Sequence, residues 1–362
     1  MSRVALSFVS WLAVGAAGLS APERSPPVAE DALRDVVRAA TATVAPSIVR
    51  IDTIGGVQPV ERANDSQPAE AAFRTADGPT TGVVWSSDGY VVTSSFNFSR
   101  DPSIITVTLH DGSKHVARLV ARDRVSRLAL LKIEAEGLPV PHWLPVEAAP
   151  PGSWAIAAGF GHGTAEPSLS VGVISAVRRM NGVAVQTDAR ISPANYGGPL
   201  FNIDGGVIGI CVPMGPGEDE IADAQWYDSG IGFAVHYEHL SDRVARLMTG
   251  RDPRRGVLGV TFDSRDAVAG IPESQPDAPA GIRIMAPPVG PAAAAGLQEG
   301  DVVTRIDGVP TPRLVDVRRQ LVRRAAGDRV AIEFWRAGQT RTAEIALAAP
   351  EELRPAASQP GG

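Results

Sequence analysis

Short runs of hydrophobic residues alternate with turn-forming residues over most of the chain. From residue 47 to about residue 240 almost no helical spacing separates these runs, a pattern typical of an all-β sandwich or barrel. Asp-Gly dipeptides begin at residues 88, 111 and 204, and this dipeptide favours tight hairpins. The runs predict about ten strands. They cover residues 47–51, 81–85, 90–94, 104–109, 128–133, 154–160, 169–177, 183–187, 206–212 and 230–235.

Helical spacing is found on either side of the strand-rich region. Residues 32–45 place apolar side chains three and four positions apart, which predicts a short amphipathic helix that ends before Pro46. Residues 238–250 predict a closing helix with Gly250 as its cap. The segments without periodicity, which predict long surface loops, are 58–80 and 214–225.

A second unit follows the charged linker at residues 251–256. It covers residues 257–349, and its pattern predicts strands together with one helix over residues 314–324. The tail at residues 350–362 is expected to be disordered. The predicted strands of this unit are residues 257–262, 282–285, 302–306 and 331–335.

The amino terminus has the pattern of an export signal. Residues 1–21 contain Arg3, then an uncharged apolar stretch, then small residues typical of a cleavage region. Because the apolar stretch is shorter than the roughly 20 residues that span a bilayer, a cleaved signal peptide is favoured over an uncleaved membrane anchor. Residues 22–31 are polar and Pro-rich, which predicts a linker. The expected location is the periplasm or cell envelope, with membrane attachment only if the signal is retained.

Composition narrows the possible functions. The chain has 362 residues, with Lys+Arg 34 and Asp+Glu 40, and a formal net charge of -6. The basic residues form no run, so nucleic acid is not an expected partner. Cys211 is the single cysteine, which excludes an intrachain disulfide and a cysteine metal cluster. We therefore expect no metal and no cofactor, and the length indicates two domains.

Three motifs in the strand-rich region resemble those of one enzyme class. Residues 194–200, Ala-Asn-Tyr-Gly-Gly-Pro-Leu, resemble the nucleophile loop Gly-Asn-Ser-Gly-Gly-Pro-Leu of trypsin-fold serine proteases. Residues 88–96 resemble the segment Asp-Gly-Tyr-Ile-Val-Thr-Asn-Asn-His, and residues 123–133 resemble a stretch in which an Asp precedes Leu-Ala-Leu-Leu-Lys-Ile. Motifs resembling a PDZ domain follow at residues 258–260, 291–297, 300–303 and 306–308.

The order and spacing of these motifs, from residue 32 to about residue 348, resemble the exported HtrA (DegP/DegS-like) protease family. The resemblance implies a mainly β fold, with a trypsin-like double β-barrel at residues 32–250 and an α+β PDZ domain at residues 257–349. The family commonly forms trimers, often through aromatic residues near the amino terminus. Residues 22–47 contain no aromatic residue, so a homo- or hetero-trimer stays an open expectation.

The resemblance places Tyr196 at the nucleophile position, Phe96 at the base position and Arg127 at the orienting position. Phenylalanine cannot accept a proton, arginine has no acceptor, and a phenol without a base is a poor nucleophile. The oxyanion-loop positions are Ala194 and Asn195, and Ala194 would resist a positive φ where the family has glycine. We expect a pseudoprotease in which Phe96, Arg127 and Tyr196 converge, with the Arg127 guanidinium either stacked on one or both rings or pointing into solvent while the rings fill space.

The PDZ-like unit keeps the residues that the resemblance assigns to peptide binding. The predicted carboxylate-binding loop consists of Val257, Leu258, Gly259 and Val260. Helix residues Leu314, Val317 and Leu321 would line an apolar pocket, or would belong in part to the core. Such a groove binds an extended peptide as an added strand, so the expected partners are peptides or protein carboxyl termini.

Two other functions stay open. The first is an active serine endopeptidase with a displaced catalytic set, and the second is a structural interaction module of the cell envelope. Serines close in sequence to the altered positions are Ser94, Ser95 and Ser192. The histidines weighed as possible bases, each expected to be an ordinary surface or packing residue, are His110, His115, His162, His236 and His239.

Overall fold

The computed structural model describes residues 28–54, 79–98, 101–161, 166–214, 230–262 and 278–353. The predicted signal peptide, most of the two predicted surface loops and the end of the tail lie outside the described residues, as does His162. The barrel domain contains α1 (Val28–Val44), β1 (Ile48–Ile54), β2 (Thr80–Val84), β3 (Tyr90–Ser94), β4 (Ile104–Thr108), β5 (Lys114–Asp123), β6 (Leu128–Ile133), β7 (Trp154–Gly159), β8 (Ser168–Arg179), β9 (Ala184–Thr187), β10 (Pro199–Phe201), β11 (Val207–Cys211), β12 (Gly232–His236) and α2 (Tyr237–Leu247).

The strand-rich region forms two closed six-stranded barrels. The first has the order β1-β2-β3-β6-β5-β4 and the second the order β10-β11-β12-β9-β8-β7. Each Asp-Gly dipeptide lies between two strands that pair with each other, because β2 pairs with β3, β4 with β5 and β10 with β11. The predicted mainly β fold with a double barrel is confirmed.

The two barrels share an apolar core that α2 closes. Val92 and Leu130 of the first barrel belong to the same buried cluster as Ile210 and Phe233 of the second, together with Leu240 of α2. Burial of such side chains contributes about 25 cal/mol per Å² of apolar surface, so this cluster holds the barrels together. The cleft between them therefore has rigid walls, and the loops at its rim carry the motifs found in the sequence.

The C-terminal domain is a small α+β unit. Its elements are β13 (Ile282–Arg283), α3 (Gly290–Ala294), β14 (Val302–Ile306), β15 (Val309–Pro310), α4 (Leu314–Leu321), β16 (Arg329–Arg336) and β17 (Gln339–Ala346). The strands form one sheet in the order β13-β14-β16-β17, and β15 pairs with β14. Helix α4 places Val317 in the core of this domain, against strands of the sheet.

Some predicted boundaries in the barrel domain were wrong. Helix α1 begins at Val28, inside the predicted linker. Strand β5 was missed because its inward side chains include the small residues Ala117 and Ala121, which do not form an apolar run. Strand β10 was missed because it has only three residues.

The C-terminal domain also departs from the prediction. Residues 257–262 do not form a continuous strand but make isolated bridges, Val257 with Ala348 and Phe262 with Ile284. The predicted strand at residues 282–285 is reduced to β13, and α4 ends at Leu321 instead of residue 324. Strand β17 was missed because most of its side chains are polar and exposed. Among the described helices of both domains, none has the length and apolar character to span a membrane.

Candidate functional site

Phe96 and Tyr196 meet between the two barrels. Phe96 lies in the short 3-10 helix Ser95–Phe98 that follows β3, whereas Tyr196 lies in the turn before β10. Their ring centroids are 5.4 Å apart with an interplanar angle of 74°, an edge-to-face contact. Tyr196 is only 2% exposed, so the ring fills the cleft and does not face a substrate.

The Asn97 side chain fixes the two loops relative to each other. Its Nδ2 donates to Thr93 Oγ1 of β3 at 3.2 Å and to the Tyr196 carbonyl oxygen at 3.4 Å. Asn97 and Thr93 are both buried. These bonds link the end of β3 in the first barrel to residues 194–200 of the second, which we call the nucleophile-like loop.

Arg127 lies in the turn between β5 and β6, with a φ of 59°. Its carbonyl oxygen accepts hydrogen bonds from the Ser95 N–H at 2.9 Å and from Ser94 Oγ at 3.2 Å. The main chain of Arg127 is therefore fixed to the residue before Phe96. The structure brings all three sequence-predicted positions to one place, while stacking of the Arg127 guanidinium on the rings stays a prediction.

The N–H groups of the nucleophile-like loop are already used within the protein. Asn195 N–H donates to the Ser192 carbonyl at 2.9 Å, and Tyr196 N–H donates to the Pro193 carbonyl at 3.3 Å. Gly197 and Gly198 donate to the carbonyls of Cys211 and Asn195 at 2.8 and 2.9 Å. An oxyanion hole needs N–H groups that point at the substrate, and in this loop four successive N–H groups do not.

Ala194 is fixed in this arrangement by its surroundings. Its φ is not among the positive values of the described residues, as expected for a residue with a Cβ. The Ala194 carbonyl accepts a hydrogen bond from Thr81 Oγ1 at 3.0 Å, and the same hydroxyl oxygen accepts the Phe160 N–H at 2.7 Å. A Cβ on Gly161 would lie 2.2 Å from the Ala194 methyl group, so the glycine leaves room for this alanine.

A serine–histidine contact exists elsewhere in the barrel domain. Ser126 Oγ lies 3.0 Å from Nε2 of His239 on α2. Ser126 is 2% exposed and His239 is 1% exposed, so a substrate has no access to the pair. From the sequence, His239 was predicted to be an ordinary surface or packing residue. Ser126 was not a candidate, because the two residues are 113 positions apart.

The other serines and histidines have structural contacts. Ser94 Oγ accepts the Phe96 N–H at 3.3 Å, and Ser192 Oγ donates to Asn195 Oδ1 at 3.3 Å. His236 is buried, with its Nδ1 2.7 Å from Glu238 Oε2 and its Nε2 2.8 Å from the Gly182 carbonyl. Neither serine contacts a histidine in these bonds, so they provide no activated hydroxyl.

In the C-terminal domain, Gly259 shapes the predicted carboxylate-binding loop. Its φ is 81°, and a Cβ at this position would lie 2.1 Å from the Val289 carbonyl oxygen. The loop is held by bonds from the Val289 N–H to the Gly259 carbonyl at 2.8 Å and from the Ala292 N–H to the Leu258 carbonyl at 3.0 Å. Only glycine fits here, because both the conformation and the space exclude a side chain.

Three N–H groups of this loop have no main-chain acceptor in the part of the chain that the structure describes. Within the described residues, the N–H groups of Leu258, Gly259 and Val260 donate to no other main-chain group. The Thr261 carbonyl accepts the Met285 N–H at 2.8 Å, so Thr261 points toward β13. Phe262 forms an isolated bridge with Ile284, so this end of the segment is also paired with the domain.

The predicted pocket residues divide between core and groove. Val317 is 1% exposed and Leu258 is 3% exposed, so both belong to the core of the C-terminal domain. Val260, Leu314 and Leu321 are half-buried and pack against that core from its rim. Of the predicted apolar residues, these three side chains keep exposed surface that a groove would need.

Other chemistry finds little support in the described residues. Cys211 is fully buried, and burial raises the pKa of its thiol to about 12, so it remains an unreactive apolar residue. Across the described ranges, no group of three or more His, Cys, Asp or Glu residues is placed to hold a metal ion.

Comparison with known proteins gives matches over both domains. Residues 80–210 match the family described as a trypsin-like peptidase domain, and residues 256–347 match the PDZ domain family. A DegP-like periplasmic serine endoprotease of Chlamydia trachomatis is 34% identical over 266 residues, which are 72% of this chain and 52% of that protein. The chain thus spans about half the length of this relative.

A relative from Synechocystis matches over more of its length. This serine protease homologue, HhoB, is 31% identical over 340 residues, 85% of this chain and 77% of that protein. Among solved structures, the HtrA-type protease AlgW with a tripeptide superposes with a TM-score of 0.67 at 26% identity, covering 88% of this chain and 97% of that one. The serine endoprotease of Yersinia pestis gives a TM-score of 0.60 at 26% identity, covering 86% and 97%.

Proposed function

The chain belongs to the HtrA family of trypsin-like proteins with a PDZ domain, and on this premise we propose that it is an exported, catalytically inactive member that binds peptides through its PDZ domain. Its ligands are protein carboxyl termini or unfolded segments. The role is that of a scaffold, an adaptor or a quality-control factor. Assembly into homo- or hetero-trimers is part of the same proposal.

The observation that carries the proposal is the packed pair of Phe96 and Tyr196. The two rings, at the positions that the resemblance assigns to base and nucleophile, are 5.4 Å apart, and Tyr196 is 2% exposed. Neither side chain can transfer a proton in the way a histidine–serine pair does. Loss of a catalytic serine or histidine lowers turnover in serine proteases by on the order of 10⁶.

The peptide-binding part rests on the PDZ loop. The N–H groups of Leu258, Gly259 and Val260 have no main-chain acceptor among the described residues, and Leu314 and Leu321 pack, half-buried, against the core cluster that contains Leu258. Three convergent N–H groups bind a carboxylate, and an apolar rim favours an apolar terminal side chain. The export part of the proposal is supported by the DegP-like relatives, which are named as periplasmic proteins.

The inactive state is tested with a fluorophosphonate probe, which labels activated serine hydroxyls. Mass spectrometry of the full chain is expected to show no adduct on any serine, with or without a bound peptide. An active trypsin-fold protease in the same solution controls for probe quality. An adduct that forms at a single serine and disappears on denaturation would contradict the proposal.

Peptide binding is tested by titrating a library of carboxyl-terminal peptides and then the same peptides with an amidated terminus. Hydrogen bonds to a charged group contribute about 1.5–3 kcal/mol, so amidation is expected to weaken binding by about 10- to 150-fold. Equal affinity for both forms would show that the protein does not recognise the terminal carboxylate. Absence of binding to any peptide would favour a structural envelope role.

The contact between Ser126 and His239 supports one second candidate, an endopeptidase with a displaced catalytic set. Its 3.0 Å Oγ–Nε2 distance suits proton transfer from a nucleophile to a base. Burial of both residues and a competing donor from Arg243 to the same nitrogen oppose it. Labelling of Ser126 by the fluorophosphonate probe, lost in a Ser126→Ala variant, would establish this candidate.

A further inference from the structure

A cluster of polar side chains is buried between α2 and the turn that leads to Arg127. On α2, His239 and Arg243 lie one turn apart and are 1% and 2% exposed. From the turn, Asp123 Oδ2 lies 3.2 Å from Arg243 Nε, and Ser126 Oγ lies 3.0 Å from His239 Nε2. Arg243 Nε also donates to His239 Nε2 at 3.3 Å, so the arginine contacts every other group except the serine.

The same arginine holds the PDZ domain. Arg243 Nη2 donates to the carbonyl oxygen of Val322, the residue that follows α4, at 2.7 Å. The Val322 side chain packs on the apolar cluster that includes Leu240. A second contact joins the domains nearby, with Arg246 Nη1 3.0 Å from Asp328 Oδ2. The guanidinium of Arg243 is therefore shared between the buried cluster and the PDZ domain.

His239 is placed so that its neutral form fits and its charged form does not. Its Nε2 accepts the hydrogen bond from Arg243, so the single ring proton belongs on Nδ1. That Nδ1 is buried, and among the described residues it has no hydrogen-bond partner. A second proton on Nε2 would place two cations 3.3 Å apart, Nε2 and Arg243 Nε, and would turn the Arg243 hydrogen bond into a donor–donor contact, while the Ser126 hydroxyl oxygen at 3.0 Å can accept the new proton.

The charged groups around His239 come from several elements. Helix α2 contributes Arg243 and Arg246, the end of β12 contributes His236, and the PDZ domain contributes Arg323. The turn before β6 contributes the carboxylate of Asp123, which is already paired with Arg243. Burial, followed by the charges of these cations, holds the pKa of His239 well below its ordinary value of 6.5.

We propose that His239 and Arg243 form an acid-sensitive latch that holds the PDZ domain on the barrel domain and releases it when His239 gains a proton. This device is additional to the proposed function and does not depend on it. The imidazolium displaces the Arg243 guanidinium, which loses its bond to the Val322 carbonyl. The Asp123 carboxylate then pairs with the imidazolium, and the PDZ domain keeps the Arg246–Asp328 ion pair and the apolar packing of Val322.

The pH range of the latch follows from the direction of the shift. The pKa of His239 is lowered in the docked state, so docking is fully favoured above the ordinary value of 6.5 and is lost as the pH falls below it. If undocking restores the ordinary pKa, the undocked-to-docked ratio rises up to about 30-fold between pH 7.5 and pH 5. Burial alone would raise the pKa of Asp328, but the hydrogen bonds from Arg246 and Ala325 lower it on balance from 3.8. The carboxylate therefore stays ionised throughout this range.

The experiment measures energy transfer between dyes on the two domains of the full chain. Cys211 is fully buried, so cysteines introduced at the exposed positions Glu136 and Gln339 take the dyes. Labelled chains are diluted into an excess of unlabelled chain, which removes transfer between molecules. The transfer is recorded from pH 7.5 to pH 5, and circular dichroism follows the fold over the same range. The wild type is expected to show reduced transfer with a midpoint below 6.5 while its fold is retained.

His239→Gln is expected to abolish this pH response, whereas His110→Gln, which changes an exposed histidine, is expected to leave it intact. Transfer that stays constant in the wild type, or the same response in His239→Gln, would overturn the latch. If His239→Gln fails to fold, NMR titration of the histidine ring resonances gives the His239 midpoint in the wild type and in Asp328→Asn. Weaker docking in Asp328→Asn is expected to move the His239 midpoint up toward 6.5, and an unchanged midpoint would contradict the proposal.

Discussion

Two glycine-containing loops of this protein are each suited by sequence to bind a negative charge, but they present their N–H groups in opposite ways. In the barrel domain, the N–H groups of residues 195–198 all donate to carbonyl oxygens of the protein. In the PDZ domain, the N–H groups of Leu258, Gly259 and Val260 donate to no main-chain group of the described residues. The donors of the first loop are used within the protein, whereas those of the second have no main-chain acceptor among the described residues.

The difference shows that a retained motif does not retain its function unless the donors stay free. Gly197 still adopts a φ of 86°, and a Cβ there would lie 2.2 Å from the Thr81 carbonyl, so this glycine serves the fold. Gly259 has a similar φ of 81°, and a Cβ there would lie 2.1 Å from the Val289 carbonyl oxygen, so it too serves the fold, and in the proposed function it also shapes the peptide site. Glycine at a matching position therefore does not by itself indicate an anion site.

Removing the Tyr196 ring tests the barrel-domain loop and carries the largest expected effect. Tyr196→Ala empties a buried site against Phe96, so the free energy of unfolding is expected to fall by about 3–5 kcal/mol. Chemical denaturation measures this loss, and Tyr196→Phe, which keeps the ring, is the matched control with a smaller loss. Peptide affinity of the PDZ domain is expected to stay unchanged. A Tyr196→Ala variant as stable as the wild type would contradict the packed cleft.

Changing the PDZ-domain loop tests the other half of the comparison. Gly259→Ala places a Cβ against the Val289 carbonyl, so the loop must shift and peptide affinity is expected to fall by about 10- to 100-fold. Gly296→Ala is the control, because Gly296 has a similar φ of 80° but a Cβ there meets nothing within 4 Å. Isothermal titration compares the two variants. Equal peptide affinity of Gly259→Ala and the wild type would show that this loop does not contribute to peptide binding.

A smaller effect is expected from the hydroxyl that holds Ala194. Thr81→Val leaves the buried Phe160 N–H and the Ala194 carbonyl without a partner, which is expected to lower the free energy of unfolding by about 1–2 kcal/mol. Thr53→Val, at a partly buried position of β1, serves as a comparison outside the site. A loss no larger than in Thr53→Val would show that the loop is fixed without Thr81.

The sequence predicted the fold well where a strand is a continuous run of apolar residues bounded by turn residues. Apolar runs identified most barrel strands, whereas β5 escaped because Ala117 and Ala121 fill its inward positions. The bridges of residues 257–262 could not be separated from a strand, because the same residues suit both. Such distinctions depend on long-range pairing, which local spacing does not contain.

The site was predicted in part. The meeting of Phe96 and Tyr196 followed from the motifs, because each motif occupies its own loop at the barrel junction. The N–H directions of residues 195–198 depend on carbonyls brought in by folding, such as that of Cys211. The Ser126–His239 contact joins residues 113 positions apart and had no local signal.

The most direct test of the central claim is hydrolysis of unfolded casein by the full chain, followed by mass spectrometry of the products, at pH 7.5 and in the presence of a binding peptide. The account predicts no cleavage above that of the Tyr196→Ala variant, because no base is positioned beside a free hydroxyl and the loop donors are used. Cleavage that is reproducible in the wild type and absent in Ser126→Ala or Tyr196→Ala would contradict it.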